Sequence, residues 1–314
     1  MTWSNRHRFP SRDHETVIPQ SHHANSRLLT EGILDANIDS TEPGFLRVAL
    51  WREWETMLAD VRDIGPVWSI VRNGNCVLAV EDTYPVLTFS PDKHAAQARQ
   101  GNTTLTCHFR AWRRAAAFES SCCCGKLYGL EIASDHGEVI HRVCLAQESA
   151  FATFVEWTQM HQATGLEDEP GTALPVDHGR FHPQSYPRRP GTLEVPLDRL
   201  RTALLHAAQR EIPLIAGVTS EGATQTTRLD IQRASEARGW LVLSGHGRSL
   251  YLDAAPTGSL LVEPAGHEGQ PDWRLSLIDP NHHRLLHLRA AADDRPAWTQ
   301  LIREFVLSKS AYGS

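Results

Sequence analysis

Apolar and polar positions divide the chain into a polar leader, two stretches with the same grammar, and a connector between them. From Pro43, PGFLRVALWREWETMLADVRDIG puts Phe45, Leu46, Ala49, Leu50, Trp54, Met57, Leu58 and Val61 near a helical spacing and stops at Gly65-Pro66, predicting one amphipathic helix. PVWSIVRNGNCVLAVEDTYPVLTF follows as strand, turn and returning strand, because Asn73-Gly74 readily takes the positive φ angles of a tight hairpin. Alternating runs at TTLTCHFRAW, RAAAFES, LYGLEIAS and EVIHRVCLA predict four more strands, and SAFATFVEWTQMHQ closes as a short helix.

Residues 163–192 are crowded with Pro, Gly and charge, the composition of an interdomain connector. Beyond them the grammar restarts. VPLDRLRTALLHAAQREI reads as a helix, PLIAGVTS and ATQTTRLDI as strands, then GWLVLSG, SLYLD, GSLLVEP, DWRLSLID and RLLHLRA as strands, and PAWTQLIREFVL as a helix. The best internal match sets Leu130 against Leu275 and Ile132 against Leu277 and, after one inserted turn residue, His141 against His287. A period of about 145 residues is too long for a solenoid and implies a duplicated domain. The expected fold is α+β, two halves each built on a large, mainly antiparallel sheet with flanking helices. The expected boundaries are a flexible tail 1–25, a first repeat 26–162, the connector 163–192 and a more diverged second repeat 193–314.

Composition narrows the function. With 314 residues, 41% hydrophobic and 22% charged, the chain has the make-up of an ordinary globular protein and allows two modest domains or one large one. No apolar run is long enough to span a membrane, and the first twenty-five residues lack the apolar core of a secretory signal, so the expectation is a cytoplasmic protein with no membrane partner. A net charge of −6 with dispersed basic residues argues against nucleic acid. The six cysteines, three of them adjacent at Cys122, Cys123 and Cys124, suit neither disulfides nor a zinc site and read as small strand residues. Histidine is the outlier at 17 residues, and imidazole is both a proton shuttle and a common metal ligand. The adjacent pairs His22-His23 and His282-His283 point apart on a strand and do not chelate. G-x-S-x-G, Walker, H-E-x-x-H and C-x-x-C patterns are all absent, which leaves hydrolase and nucleotide readings unsupported.

Three stretches of the first half carry a family resemblance. IGPVWSIVRNGNCVLAVEDTY has Gly65, Val67, Arg72 and Asn73 as landmarks; TTLTCHFRAWRRAAAFE has Leu105, Trp112 and Phe118; LYGLEIASDHGEVIHRVCLAQESAFATFVEW supplies a strand, a turn, a "VHKVYL"-like strand and a helix. In this order they resemble the cytoplasmic haemin-utilisation proteins of the HemS/ChuS/HmuS type over residues 50–160; the second half matches more faintly through GWLVL, RLSLIDP and the helix around Trp298. The resemblance implies two homologous halves with haem in a cleft between them. It also implies an iron-ligating histidine in the connector and an arginine on a first-half strand across the macrocycle. The nearest connector string is PVDHGRFHPQSY, which offers His178, after Asp177 and before Phe181, as the iron ligand and His182 as the second choice.

Two family positions differ. The strand arginine aligns with Thr106, and the basic segment of the second half aligns with LLVEPAG, where Glu263 has the wrong sign for a propionate. Alternation puts Thr106, His108 and Arg110 on one strand face, so His108 or Arg110 could serve in the arginine's place. Tyr251, His246 and Arg248 in SGHGRSLYLD could line the cleft from the second half, with His246 as a plain hairpin tip the alternative. His141 and His287 either face one cleft as a pair or are a strand position tolerated twice. The functional expectation is haem iron utilisation by trafficking, storage or oxidative, haem-oxygenase-like degradation, with haem as cofactor and partner and a homodimer left open. The alternatives are a diverged duplicate that has lost haem and serves as an interaction or regulatory module, or a histidine-lined site for another small ligand.

Overall fold

The computed structural model describes residues 46–122, 125–135, 137–163, 188, 190–265 and 272–308. The expected tail 1–25 and nearly all of the connector, with His178 and His182, lie outside the described residues, as do His22 and His23.

The first departure from the sequence reading comes at the first element. The stretch expected to be one helix is a strand, β1 (Leu46–Ala49), followed by a shorter helix, α1 (Trp54–Asp60). Val48 and Leu50 are buried while Arg47 and Ala49 are exposed, so the period there is two, and β1 finds a partner strand that a helical reading ignores. A tight turn, Val61–Ile64, then ends at Gly65, whose φ of 103° is open to glycine and costly for other residues.

The remaining elements follow the expected grammar, with three added strands and the returning strand of the first hairpin split in two. In order they are β2 (Pro66–Arg72), β3 (Cys76–Thr83), β4 (Thr88–Phe89), β5 (Ala95–Gln100), β6 (Thr103–His108), β7 (Arg114–Cys122), β8 (Gly125–Ala133), β9 (Val139–Leu145), α2 (Phe151–His161), β10 (Leu193–Val195), α3 (Asp198–Gln209), β11 (Leu214–Thr219), β12 (Ala223–Leu229), β13 (Arg233–Ala237), β14 (Trp240–Gly245), β15 (Arg248–Asp253), β16 (Ser259–Pro264), β17 (Trp273–Ile278), β18 (Arg284–Ala290) and α4 (Arg295–Leu301), which runs on into a wider π-helical turn, Ile302–Val306. β5, β10 and β13 are the strands the sequence did not announce, and β4 is the end of the expected returning strand, separated from β3 after Thr83.

Two nine-stranded antiparallel sheets result, as the duplicated α+β expectation requires. Their orders are β1-β7-β8-β9-β2-β3-β15-β14-β13 and β10-β16-β17-β18-β11-β12-β6-β5-β4. Each takes six strands from one sequence half and three from the other, at corresponding places. The chain also clusters into two compact units. Of the described residues, unit 1 takes those of 46–70, Glu81–Ala96 and 108–163, and unit 2 takes Val71–Val80, Gln97–Cys107 and those from 188 onward. Unit 2 therefore builds in two segments of the first half: β3 lies against β15, Leu78 opposite Leu250, and β6 against β12, Leu105 opposite Gln225.

Asn73 secures the first of these segments. The hairpin is present, yet neither Asn73 nor Gly74 has positive φ. The Asn73 side chain makes the turn instead: its Oδ1 accepts the N–H groups of Asn75 and Cys76, both at 2.9 Å, and its Nδ2 donates to the carbonyls of Thr219 at 2.8 Å and Leu285 at 2.9 Å. The corresponding turn of the second half uses a hydroxyl, with Ser220 Oγ accepting from Ala223 N. Asn73→Ala is expected to cost about 2–3 kcal/mol, since four partners lose their bonds at a partly buried site. Asn73→Asp should be no better, because a carboxylate then faces two carbonyls. Urea unfolding midpoints of the two variants against wild type provide the measurement.

Candidate functional site

Period-two alternation gives unit 2 one clearly apolar sheet face. Leu105, Cys107, Ala223, Leu229, Leu214, Ala216, Val218, Leu286, Leu288, Leu275 and Leu277 are all buried there. The alternate positions form the other face, half-buried at Thr104, Thr106, Thr224 and Thr226 on β6 and β12 and fully buried at Leu261 and Ser276 on β16 and β17. One rung crosses six strands in register, Leu261, Ser276, His287, Gly217, Thr226 and Thr104. Thr106 sits on the same face, in line with Thr224 and Thr219, so the strand position at which the resemblance expects an arginine belongs to this surface.

His287 is its centre. A β-carbon built on Gly217 would fall 1.9–2.6 Å from three ring atoms of His287, so the missing side chain is what lets the imidazole settle on β11. Burial, with the charges of Arg284, Arg274 and Arg289 behind it, pushes the imidazole down to about 3, so the ring is neutral at physiological pH. Its Nδ1 is shut off from solvent and has no hydrogen-bond partner among the described residues. Beside it Ser276 donates to Glu263 Oε2 at 2.6 Å, and Glu263 is 1% exposed.

The His141–His287 equivalence does not survive. Ala146 N bonds Pro66 O where Ala291 N bonds Pro213 O, Leu130 faces Val143 where Leu275 faces Leu288, and both hairpins carry an irregularity at the same place, Ile132/Ala133 and Leu277/Ile278. The spacing is thus constant through the hairpin, with no inserted turn residue, and the partner of His287 is Arg142. His141 matches Leu286, on the opposite face. A shift of one residue turns a strand's side chains over.

The two histidines accordingly have different work. His141 is a satisfied core residue of unit 1, its Nδ1 2.9 Å from Ile70 O and its Nε2 3.1 Å from the Tyr84 hydroxyl, with Trp112 stacked at 6.0 Å. Burial pushes it down to about 4. Arg142, at the place of His287, is fully engaged: Nε and an NH2 group bond Glu131 Oε2 at 2.9 and 2.6 Å, and Arg47 takes Oε1. Unit 1 closes this position with an ion pair, whereas unit 2 leaves a neutral ring.

The other expected residues are dispersed. β6 ends at His108, and Phe109–Ala111 forms a tight turn, because Phe109 enters an aromatic group with Trp54, Phe89 and Trp112. Strand alternation therefore stops before Arg110, which is exposed and lies near the Asp92 carboxylate, while His108 is half-buried with its imidazole lowered by burial. In β15, Arg248 and Tyr251 are three residues apart and so on opposite faces. Arg248 Nε donates to the Thr227 hydroxyl at 3.0 Å, and Tyr251 is 1% exposed. His246 is an exposed hairpin tip at φ 48°. His283 is tied to Asp279 at 3.0 Å. No group of three or more metal-ligating side chains occurs among the described residues, nor any helix long and apolar enough to cross a membrane.

Solved structures resemble this one over nearly its full length. PhuS, a heme-binding protein from Pseudomonas aeruginosa, in its holo form matches at a TM-score of 0.65 with 16% identity, over 89% of this chain and 92% of PhuS. ChuS, described as an Escherichia coli heme oxygenase and heme-degrading enzyme, matches at 0.67 with 14% identity, over 91% of this chain and 94% of ChuS. The chain has the PhuS/ChuS fold. No protein-family model matches the sequence, and no curated protein does. At such identities a shared PhuS/ChuS fold fixes architecture and leaves the chemistry to the site.

Two outcomes follow for the histidines. Gly217→Ala should destabilise the protein by about 1–3 kcal/mol through overpacking, and Gly217→Ala with His287→Ala should recover most of that loss, which a double-mutant cycle of melting temperatures reads directly. His141 and His287 have folded-state values below the unfolded value of 6.5, so below pH 6.5 the unfolded chain binds more protons and stability must fall as pH drops toward 4. His141→Phe should be less stable at pH 7 but lose less between pH 6.5 and pH 4, measured by denaturation at each pH.

Proposed function

We propose that the protein binds haem and acts in haem utilisation. The observation that carries this reading is that the chain keeps, over about nine-tenths of its length, the architecture in which PhuS binds heme. The sequence resemblance supports it independently, through the stretches around Arg72, Trp112 and His141. The donor set of unit 2 fits in kind, since the face that includes the strand position Thr106 carries half-buried threonine hydroxyls and a neutral imidazole.

In this reading His178 is the iron ligand and His182 the second choice, both carried over from the resemblance. His108, Arg110, Arg248 and Tyr251 are the further contacts it suggests; the exposed Arg110 and half-buried His108 are the more accessible of the four. Bound haem would supply an iron centre for oxygen chemistry, with the protein contributing a ligand, charge and exclusion of water. Whether the haem is carried, stored or opened divides this proposal into finer ones.

A second reading, an interaction module of the same fold without haem, is favoured by two residues. Thr106 stands where the resemblance expects a guanidinium, and Glu263 is a buried acid where it expects a base.

Haemin titration of the apoprotein, followed through the Soret band, separates the two. The haem reading expects a saturable one-to-one shift, weakened about tenfold or more by His178→Ala, the size of one lost ligand interaction of ~1.4 kcal/mol or above, and less by His182→Ala. Absence of a saturable shift in the wild type overturns it in favour of the interaction module. Loss of the Soret band on adding a reductant in air would assign degradation.

A further inference from the structure

Unit 1 keeps a tyrosine–histidine pair in its core that the haem reading does not use. His141 is 0% exposed and Tyr84 1%. A carbonyl only accepts, so the 2.9 Å contact between His141 Nδ1 and Ile70 O puts the ring proton on Nδ1. Burial pushes the imidazole down to about 4 and keeps it neutral, which leaves Nε2 as a bare acceptor. The Tyr84 hydroxyl, 3.1 Å away, therefore donates to Nε2. Packing alone does not call for such a pair, because an apolar one leaves no polar atom to satisfy.

Two indoles connect this pair to the outside of unit 1. Trp112, 2% exposed, stacks on His141 with ring centroids 6.0 Å apart and planes at 23°. Trp54 on α1 meets Trp112 edge-on at 5.2 Å and is itself half-buried. The Tyr84 ring lies 6.0 Å from that of His141, so ring contacts run without a break from half-buried Trp54 to sealed Tyr84, all within unit 1. Indole and phenol are the aromatic side chains that give up an electron most readily. The benzene ring of Phe109, packed against both indoles, does not. A buried phenol is oxidised easily only when its proton leaves with the electron, and Nε2 is a base already hydrogen-bonded to that proton.

We propose that Trp54, Trp112, His141 and Tyr84 form a relay that carries one-electron oxidising equivalents from the surface of unit 1 to the Tyr84 phenol. The oxidant class is a peroxyl radical. Trp54 gives it one electron and solvent one proton, which makes a hydroperoxide; Trp112 then refills Trp54, and Tyr84 refills Trp112. As the electron leaves Tyr84 its O–H bond breaks and a bond forms from that proton to His141 Nε2. A neutral tyrosyl radical remains beside an imidazolium whose Nε2–H donates back to the phenoxyl oxygen. A one-electron reductant of the ascorbate class restores the phenol, the proton returning from Nε2. The relay does not rest on the haem reading.

The test oxidises the full chain with photogenerated tris(bipyridine)ruthenium(III), followed by transient absorption and freeze-quench paramagnetic resonance. The wild type is expected to show a tryptophanyl radical that converts to a neutral tyrosyl radical, more slowly in deuterated water, a response that a packing role does not produce. Tyr84→Phe should remove the tyrosyl signal, which assigns it among the five tyrosines of the chain. His141→Gln and Trp112→Phe should each slow its formation about tenfold or more. Unchanged circular dichroism certifies the fold of each variant, and Tyr84→Phe, which removes one oxygen, keeps the test decisive if another variant fails to fold. Peroxyl radicals from a water-soluble azo initiator should give the same tyrosyl spectrum, and its absence there overturns the oxidant class. No tyrosyl radical in the wild type, a tyrosyl signal undiminished in Tyr84→Phe, or tyrosyl formation as fast in Trp112→Phe as in the wild type overturns the relay.

Discussion

One amide side chain stands where the chain passes into unit 2. Asn73 ties its own turn with Oδ1 and reaches with Nδ2 to two carbonyls contributed by the distant second half, those of Thr219 and Leu285. The strand that follows, β3, can lie beside β15 only if that turn delivers it in register, and Gln225 then reaches the Leu78 carbonyl to fasten β12 to it. A serine at the matching turn of the second half has no amide to extend in this way. The asymmetry of the duplicated unit begins there, with one side chain that serves its local turn and also binds far along the sequence.

Much of the fold was legible because period-two alternation is a strong signal when one face is core. β12 alternates buried and half-buried through all seven residues, and ATQTTRL reads as a strand without help. The three strands that were missed are AAQARQ, RASEA and LEV, short or composed of residues with more helical than strand preference. The first helix was misread because Phe45, Leu46, Ala49 and Leu50 satisfy two periods at once, and only the pairing with β7 decides between them. The exchange of three strands between sheets was out of reach, since alternation states which face a strand buries and says nothing of which strand lies beside it.

The candidate site was legible in its residue types and illegible in its register. His287 was singled out, but likeness between two histidines drew it to His141 through an inserted residue that the hairpin does not contain. The pairing of Ser276 with His287 and of Glu131 with Arg142 restores the correct correspondence, and with it the contrast between a closed ion pair and a neutral ring resting on Gly217. Arg110 was lost for a different reason: the aromatic demand of Phe109 ends the strand one residue too early for alternation to carry that far. Arg274 and Arg289 drew no notice at all, being ordinary polar strand residues until the register gathers them around one imidazole.

The exchanged strands also set a schedule for the nascent chain. Leu78 waits for Leu250 and Leu105 for Gln225, so these edges stay unpaired until well over a hundred further residues have been made. At ordinary synthesis rates that interval is on the order of ten seconds, far longer than collapse or hairpin formation requires. During it the apolar β3, and later the newly made strands that seek it, are exposed to wrong pairings, and the sheets can close only near the end of translation. A fold with such high contact order ties each sequence half to strands of the other, at the expense of slow maturation.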